Sequence, residues 1–101
     1  MKKEQQIEHF LDTTALMLDT IVRKGQDYAN ADVLSNFKTS SAIIGTTPEL
    51  CCLNMIAIKV ARLGVLLRSQ NSPNNESIRD SVLDLANYSI LLDMILYENE
   101  G

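Results

Sequence analysis

The feature that most constrains the fold is a long apolar segment in the middle of the chain. Thr47, Pro48 and Glu49 supply an N-cap residue, a proline at the first helical position and an acidic residue in the first turn, which together favour a helix start. From Leu53 to Leu67 the segment is apolar nearly all round, interrupted mainly by Asn54, Lys59, Arg62 and Gly64. Such a helix is normally buried, so the pattern predicts a central helix between other helices.

A first helix is predicted near the start of the chain. Apolar residues recur at intervals of three and four residues from Lys3 to about Arg23, with acidic residues between them, and Gly25 ends the helix. Residues 26 to 47 are mixed and polar, with short apolar clusters. A connection of this length is unusual in a small domain, so we expect a long loop or a short helix there.

The last helix follows a short connector rich in Asn and Ser. The central helix should run from Pro48 to about Ser69, and the last helix should end near Glu98. The buried face of the last helix is predicted to carry Ile78, Val82, Leu85, Ser89, Leu92 and Leu96. A short connector favours antiparallel packing of these two helices. The sequence therefore predicts an all-α fold with three main helices in an antiparallel bundle, forming a single domain over residues 1–101.

Composition limits the partners of the chain. In 101 residues with five aromatic side chains and no Trp, aliphatic residues must form a thin core, so we expect a homo-oligomer that covers more of them. The net charge of −4 disfavours duplex nucleic acid as a partner. No apolar run approaches the roughly 20 residues of a membrane span, and the first residues lack the apolar core of a signal peptide. We expect a cytoplasmic protein that does not enter membranes.

An acidic stripe is predicted on the last helix. Glu76, Asp80 and Asp84 lie at four-residue steps, and Asn87 and Tyr88 continue the same side. Like charges at this spacing destabilise a helix by about 0.2–0.5 kcal/mol per pair, so a cation should offset them. That cation is either a divalent metal or the basic residues of the central helix, unless the stripe is an ordinary solvated face.

Lys59 and Arg62 are the basic residues that interrupt the apolar central helix. Burying a charge without a partner is expensive, so each should have one. The partner is either an acidic residue, Asp80 or Asp84, or the phosphate of a ligand, and arginine suits bidentate contact with phosphate. Both alternatives remain open, and one arrangement could serve both.

Two polar segments could close over a ligand. The first includes Lys24, Asp27 and Tyr28 at the end of helix 1, and the second includes Asn36 and Phe37 in the long connection. Tyr28 or Phe37 could stack on a nucleobase. A helix end followed by an ordinary turn would give a similar pattern.

Several of these residues belong to short blocks that occur in a fixed order between about residues 20 and 92. The blocks are Lys24-Gly25-Gln26-Asp27-Tyr28, Asn36-Phe37, Lys59-Val60-Ala61-Arg62-Leu63, and Asn75-Glu76-Ser77-Ile78 with Asp80 and Asp84-Leu85-Ala86-Asn87-Tyr88. In this order they resemble the nucleotide-modification-associated domain family of bacteriophages. The resemblance implies a small helical protein associated with nucleotide metabolism. The candidate ligand-binding residues are then Lys24, Asp27, Tyr28, Asn36, Phe37, Lys59, Arg62, Asp80, Asp84, Asn87 and Tyr88.

The acidic helix is also similar, more remotely, to that of the all-α nucleotide pyrophosphatases of the MazG and dimeric dUTPase type. Those enzymes hold magnesium between two acidic helix motifs and hydrolyse a nucleoside triphosphate. Here the central helix lacks the second acidic pair, because after Glu49 it offers Cys52, Asn54, Lys59 and Arg62. We therefore expect no cofactor, except that Mg²⁺ would be held by Glu76, Asp80 and Asp84 if the chain is a hydrolase.

Three functional hypotheses follow. The first is a non-catalytic, oligomeric nucleotide-binding protein of phage type that sequesters a nucleotide signal, such as a cyclic dinucleotide, in the host cytoplasm. The second is a magnesium-dependent nucleoside triphosphate pyrophosphatase that uses Glu49 together with the acidic stripe. The third is a helical adaptor that binds only protein, in which Lys59 and Arg62 form structural ion pairs.

Overall fold

The computed structural model describes residues 1–26, 32–69 and 75–101, with the backbone alone for residues 25, 26 and 75–77. Across these ranges the regular structure is entirely helical, with four helices and no strand, which confirms the all-α prediction. The helices are α1 (Lys3–Gln26), α2 (Ser35–Ile44), α3 (Pro48–Arg68) and α4 (Asn75–Glu100). The predicted bundle of three main helices is matched only roughly, although α2 is the short helix expected between helices 1 and 2.

The chain divides into two compact units, Met1–Ala31 and Asp32–Gly101. The first unit contains α1, which continues through Gly25 to Gln26 and so extends past its predicted end. A glycine inside a helix costs only about 1 kcal/mol relative to alanine, which does not suffice to end one. The second unit contains α2, α3 and α4. The single domain over residues 1–101 stays a prediction.

The bounds of α3 follow from its local chemistry. Thr47 is the N-cap, and its side-chain oxygen accepts a hydrogen bond of 3.3 Å from the backbone N–H of Leu50, while Pro48 occupies the first turn. The helix ends at Arg68, one residue before the predicted end. Just before α3, the helix α2 ends at Ile44 and is capped by Gly45, whose φ of 77° is the left-handed conformation that glycine adopts without strain.

Within the second unit α3 is the central helix, because it packs against both α2 and α4. Near the start of α3, Glu49 accepts a hydrogen bond of 2.6 Å from Asn99, at the end of α4. Further along α3, Lys59 lies against Asp84, much earlier in α4. Residue numbers on α4 fall as those on α3 rise, so these two helices run antiparallel, as their short connector predicts.

The core of the second unit is small. Its buried cluster consists of Leu34, Cys52 and Ile95, and half-buried side chains pack around it, namely Phe37, Ile56, Tyr88, Leu91 and Leu92. Cys52 is fully buried, and both cysteines are free thiols. A thin core was expected from the composition.

The buried face predicted for the last helix is only partly right, since Ile78, Leu85 and Leu92 are half-buried. That face was expected to carry Ile78, Val82, Leu85, Ser89, Leu92 and Leu96, but Val82 and Leu96 are exposed. Ser81 and Ile95 are buried instead, which is a shift of one residue, or about 100° around the helix. The pattern was misleading because short polar residues, Ser81 and Asn87, occupy part of the buried side.

By length and composition, α3 is the one described helix that could cross a membrane. The core helix of a soluble protein passes the same test, so this finding has little weight for or against a bilayer. The premise that no apolar run approaches the length of a membrane span is wrong for α3, because its charged residues Lys59 and Arg62 are too few to lower its mean hydropathy. The expectation of a cytoplasmic protein outside membranes stays a prediction.

Candidate functional site

The most informative polar contact joins α3 to α4. The ammonium nitrogen Nζ of Lys59 lies 3.2 Å from Oδ2 of Asp84, and the two side chains are only 18% and 27% exposed. Lys59 lies on the same side of α3 as the buried residues Cys52 and Leu63. An unpaired charge in that position would be costly, so the pair stabilises the contact between the two helices. Of the two acidic partners predicted for Lys59, the structure therefore places Asp84 beside it.

Arg62 lies next to this pair but has a different environment. It follows Lys59 by three residues, which places it on an adjoining part of the α3 surface, and it is exposed. In the parts of the chain that the structure describes, no ion pair includes Arg62. Its predicted role in a structural ion pair is therefore not seen there. A guanidinium in this position can bind an anion with two parallel hydrogen bonds.

The acidic stripe does not act as a unit in the described structure. Asp80 is exposed, Asp84 is paired with Lys59, and the side chain of Glu76 lies outside the described residues. Among the side chains that are described, no group of three or more His, Cys, Asp or Glu residues could hold a metal ion. The Mg²⁺ site stays a prediction that depends on Glu76.

Glu49 lies far from the acidic stripe. It accepts a hydrogen bond from Asn99, and the rise of α4 between residues 84 and 99 is about 22 Å. Two oxygen ligands of one ion are within about 5 Å of each other, since each lies at most about 2.6 Å from the metal. Glu49 and Asp84 therefore cannot share one ion. The pKa of Glu49 lies below its usual value because the Thr47 side chain, its own backbone N–H and Asn99 hydrogen-bond the carboxylate.

The two aromatic candidates that the structure describes are in contact with each other. The ring centroids of Phe37, on α2, and Tyr88, on α4, lie 6.4 Å apart with an interplanar angle of 82°, an edge-to-face arrangement. Both side chains are half-buried and pack against the core cluster. Cys52 also donates a hydrogen bond of 3.4 Å to the carbonyl oxygen of Tyr88. These rings thus hold α2 and α4 to the core.

The remaining candidates are dispersed. Asn36 is exposed on α2, and Asn87 is buried on α4. Lys24 is exposed near the end of α1, in the other compact unit. Asp27 and Tyr28 lie outside the described residues. Lys59, Arg62 and Asp84 therefore form the compact part of the predicted site, with Phe37 and Tyr88 paired elsewhere in the second unit.

The sequence reasoning missed a three-residue ionic cluster around Lys38. Its Nζ lies 2.5 Å from Oδ2 of Asp32 and also contacts the carboxylate of Glu98, and Oδ1 of Asp32 accepts a hydrogen bond of 3.0 Å from the backbone N–H of Leu34. The Lys38 hydrogen bond, and then that from Leu34, lower the pKa of Asp32. Hydrogen bonds to Asp32 and then Glu98 raise the pKa of Lys38.

This cluster ties the start of α2 to the end of α4. The spacing of Asp32 two residues before Leu34 is a local signal of a turn in which the side chain bonds the backbone. The contact with Glu98 spans 60 positions of sequence and has no local signal. Asp32 and Lys38 are half-buried, Glu98 is exposed, and the three side chains pair with one another, so a structural role explains the cluster.

Fold and site together define a small all-helical protein whose second unit is held by a partly buried Lys–Asp pair with an exposed arginine beside it. No protein-family model, curated protein or solved structure matches the chain. The resemblance to the phage nucleotide-modification family therefore stays a prediction from the sequence blocks.

Proposed function

We propose that the protein binds a nucleotide or a nucleotide-like phosphate compound and does not cleave it. The observation that carries this proposal is the pair of cations on neighbouring positions of α3, Lys59 and Arg62, of which Arg62 is exposed. A phosphate group can accept two hydrogen bonds from Arg62. It can also approach Lys59, whose ammonium group has three N–H donors and meets Asp84 with one carboxylate oxygen.

Binding fits these residues better than hydrolysis. Metal-assisted cleavage needs carboxylates that face a common ion, but Asp84 is neutralised by Lys59 and Glu49 is too far away to contribute. The hydrolase alternative would require Glu76 and Asp80 to build the metal site with other ligands. Cleavage is therefore the alternative that the experiment below must separate from binding.

For the aromatic contact with the base, Tyr28 and Phe37 remain the alternatives that the sequence predicts. The ring of Phe37 packs edge-to-face against Tyr88, and Tyr28 lies outside the described residues. The biological form of the proposal is the one that the phage resemblance implies, in which an oligomeric protein sequesters a nucleotide signal such as a cyclic dinucleotide in the host cytoplasm. Oligomeric binders of this kind act by stoichiometry, so they need affinity and no catalytic group.

Thermal unfolding in the presence of candidate ligands tests the proposal. The ligands are nucleoside triphosphates, deoxynucleotides and cyclic oligonucleotides, each with and without Mg²⁺. A ligand at about a hundred times its Kd adds roughly 2.7 kcal/mol to the free energy of unfolding, which raises Tm by roughly 10–20 °C for a chain of this size. Arg62→Gln should abolish the shift and leave Tm without ligand unchanged, because Arg62 is exposed. Lys3→Gln removes the same charge from an exposed position at the start of α1 and should keep the shift.

Chromatography of the stabilising compound after incubation separates the alternatives. Recovery of the intact compound supports binding, whereas its conversion to a monophosphate in Mg²⁺ establishes the pyrophosphatase alternative. If no compound raises Tm, the proposal is rejected.

A helical protein-interaction module is the second candidate function. It is favoured by one specific observation, the exposed large apolar side chains of α3, among them Val60, Val65 and Leu67. Arg62→Gln separates it from nucleotide binding, because a module that binds only protein shows no nucleotide shift in either form.

A further inference from the structure

We draw no further inference here: the strongest candidate, the surface patch of exposed apolar side chains on α3 that includes Leu53, Val60 and Val65, carries none, because nothing in the parts of the chain that the structure describes shows what covers it.

Discussion

The contact between Lys59 and Asp84 makes a quantitative prediction about what holds α3 to α4. At the observed separation of 3.2 Å, two unit charges in an effective dielectric of about 20 attract by roughly 5 kcal/mol before the cost of removing them from water. Loss of one partner from a fully buried pair costs about 3–5 kcal/mol. Both side chains here retain a fifth to a quarter of their exposure, so we expect about 2–3 kcal/mol for either single substitution.

A double-mutant cycle isolates the pairwise term. Lys59→Met keeps most of the aliphatic stem and removes the charge, and Asp84→Asn keeps the shape of the carboxylate. The double variant leaves no unpaired charge, so it should be less destabilised than the sum of the two single variants by about 2 kcal/mol. The free energy of unfolding should be measured by urea denaturation at one fixed protein concentration, because an oligomer is more stable at higher concentration.

The outcome that refutes this reasoning is additivity. If the cycle closes within about 0.5 kcal/mol, the ion pair is energetically equivalent to a solvated surface pair and does not hold α3 to α4. A repeat in 1 M NaCl is the control for exposure. Salt screens partly buried pairs only weakly, so the coupling should survive, whereas an exposed pair would lose it.

Three further predictions concern the capping residues, the buried thiol and the ionic cluster. Thr47→Ala should lower the free energy of unfolding, measured in urea, by about 1 kcal/mol, because α3 loses its N-cap hydrogen bond. Thr47→Ser keeps a hydroxyl and should not lower it. Equal stability of the natural chain and both variants would contradict the role of Thr47 as an N-cap. In a Cys51→Ser variant, iodoacetamide should leave Cys52 unmodified until urea unfolds the protein, because burial raises the pKa of the Cys52 thiol and excludes the reagent. Rapid alkylation of Cys52 in the native protein would contradict its burial. Asp32→Asn should be less stable than the natural chain above about pH 4, and the difference should disappear as the pH falls below that value. The reason is that the lowered pKa of Asp32 stabilises the folded state only while the carboxyl of the unfolded chain is ionised. The urea midpoint measures the difference, and a difference that persists at pH 2 would show that charge is not the cause.

The parts of the fold that follow from local chemistry could be predicted from the sequence. Thr47 and Pro48 determine the start of α3, and the structure places it at the predicted residue. Gly25 shows the limit of such signals, because glycine permits a helix end but does not impose one, and α1 continues past it. The rotation of α4 could not be found in the same way. Its buried side carries Ser81 and Asn87, whose presence there depends on how α3 and α4 pack.

The candidate site shows the same division between local and long-range information. The sequence required a partner for Lys59 because it interrupts an apolar helix, and it left Asp80 and Asp84 as alternatives. Choosing between them requires the register of α3 against α4, which only the packed pair of helices determines. Phe37 was predicted to stack on a base because it lies in a polar segment, but a residue on another helix, Tyr88, gives its ring a place against the core.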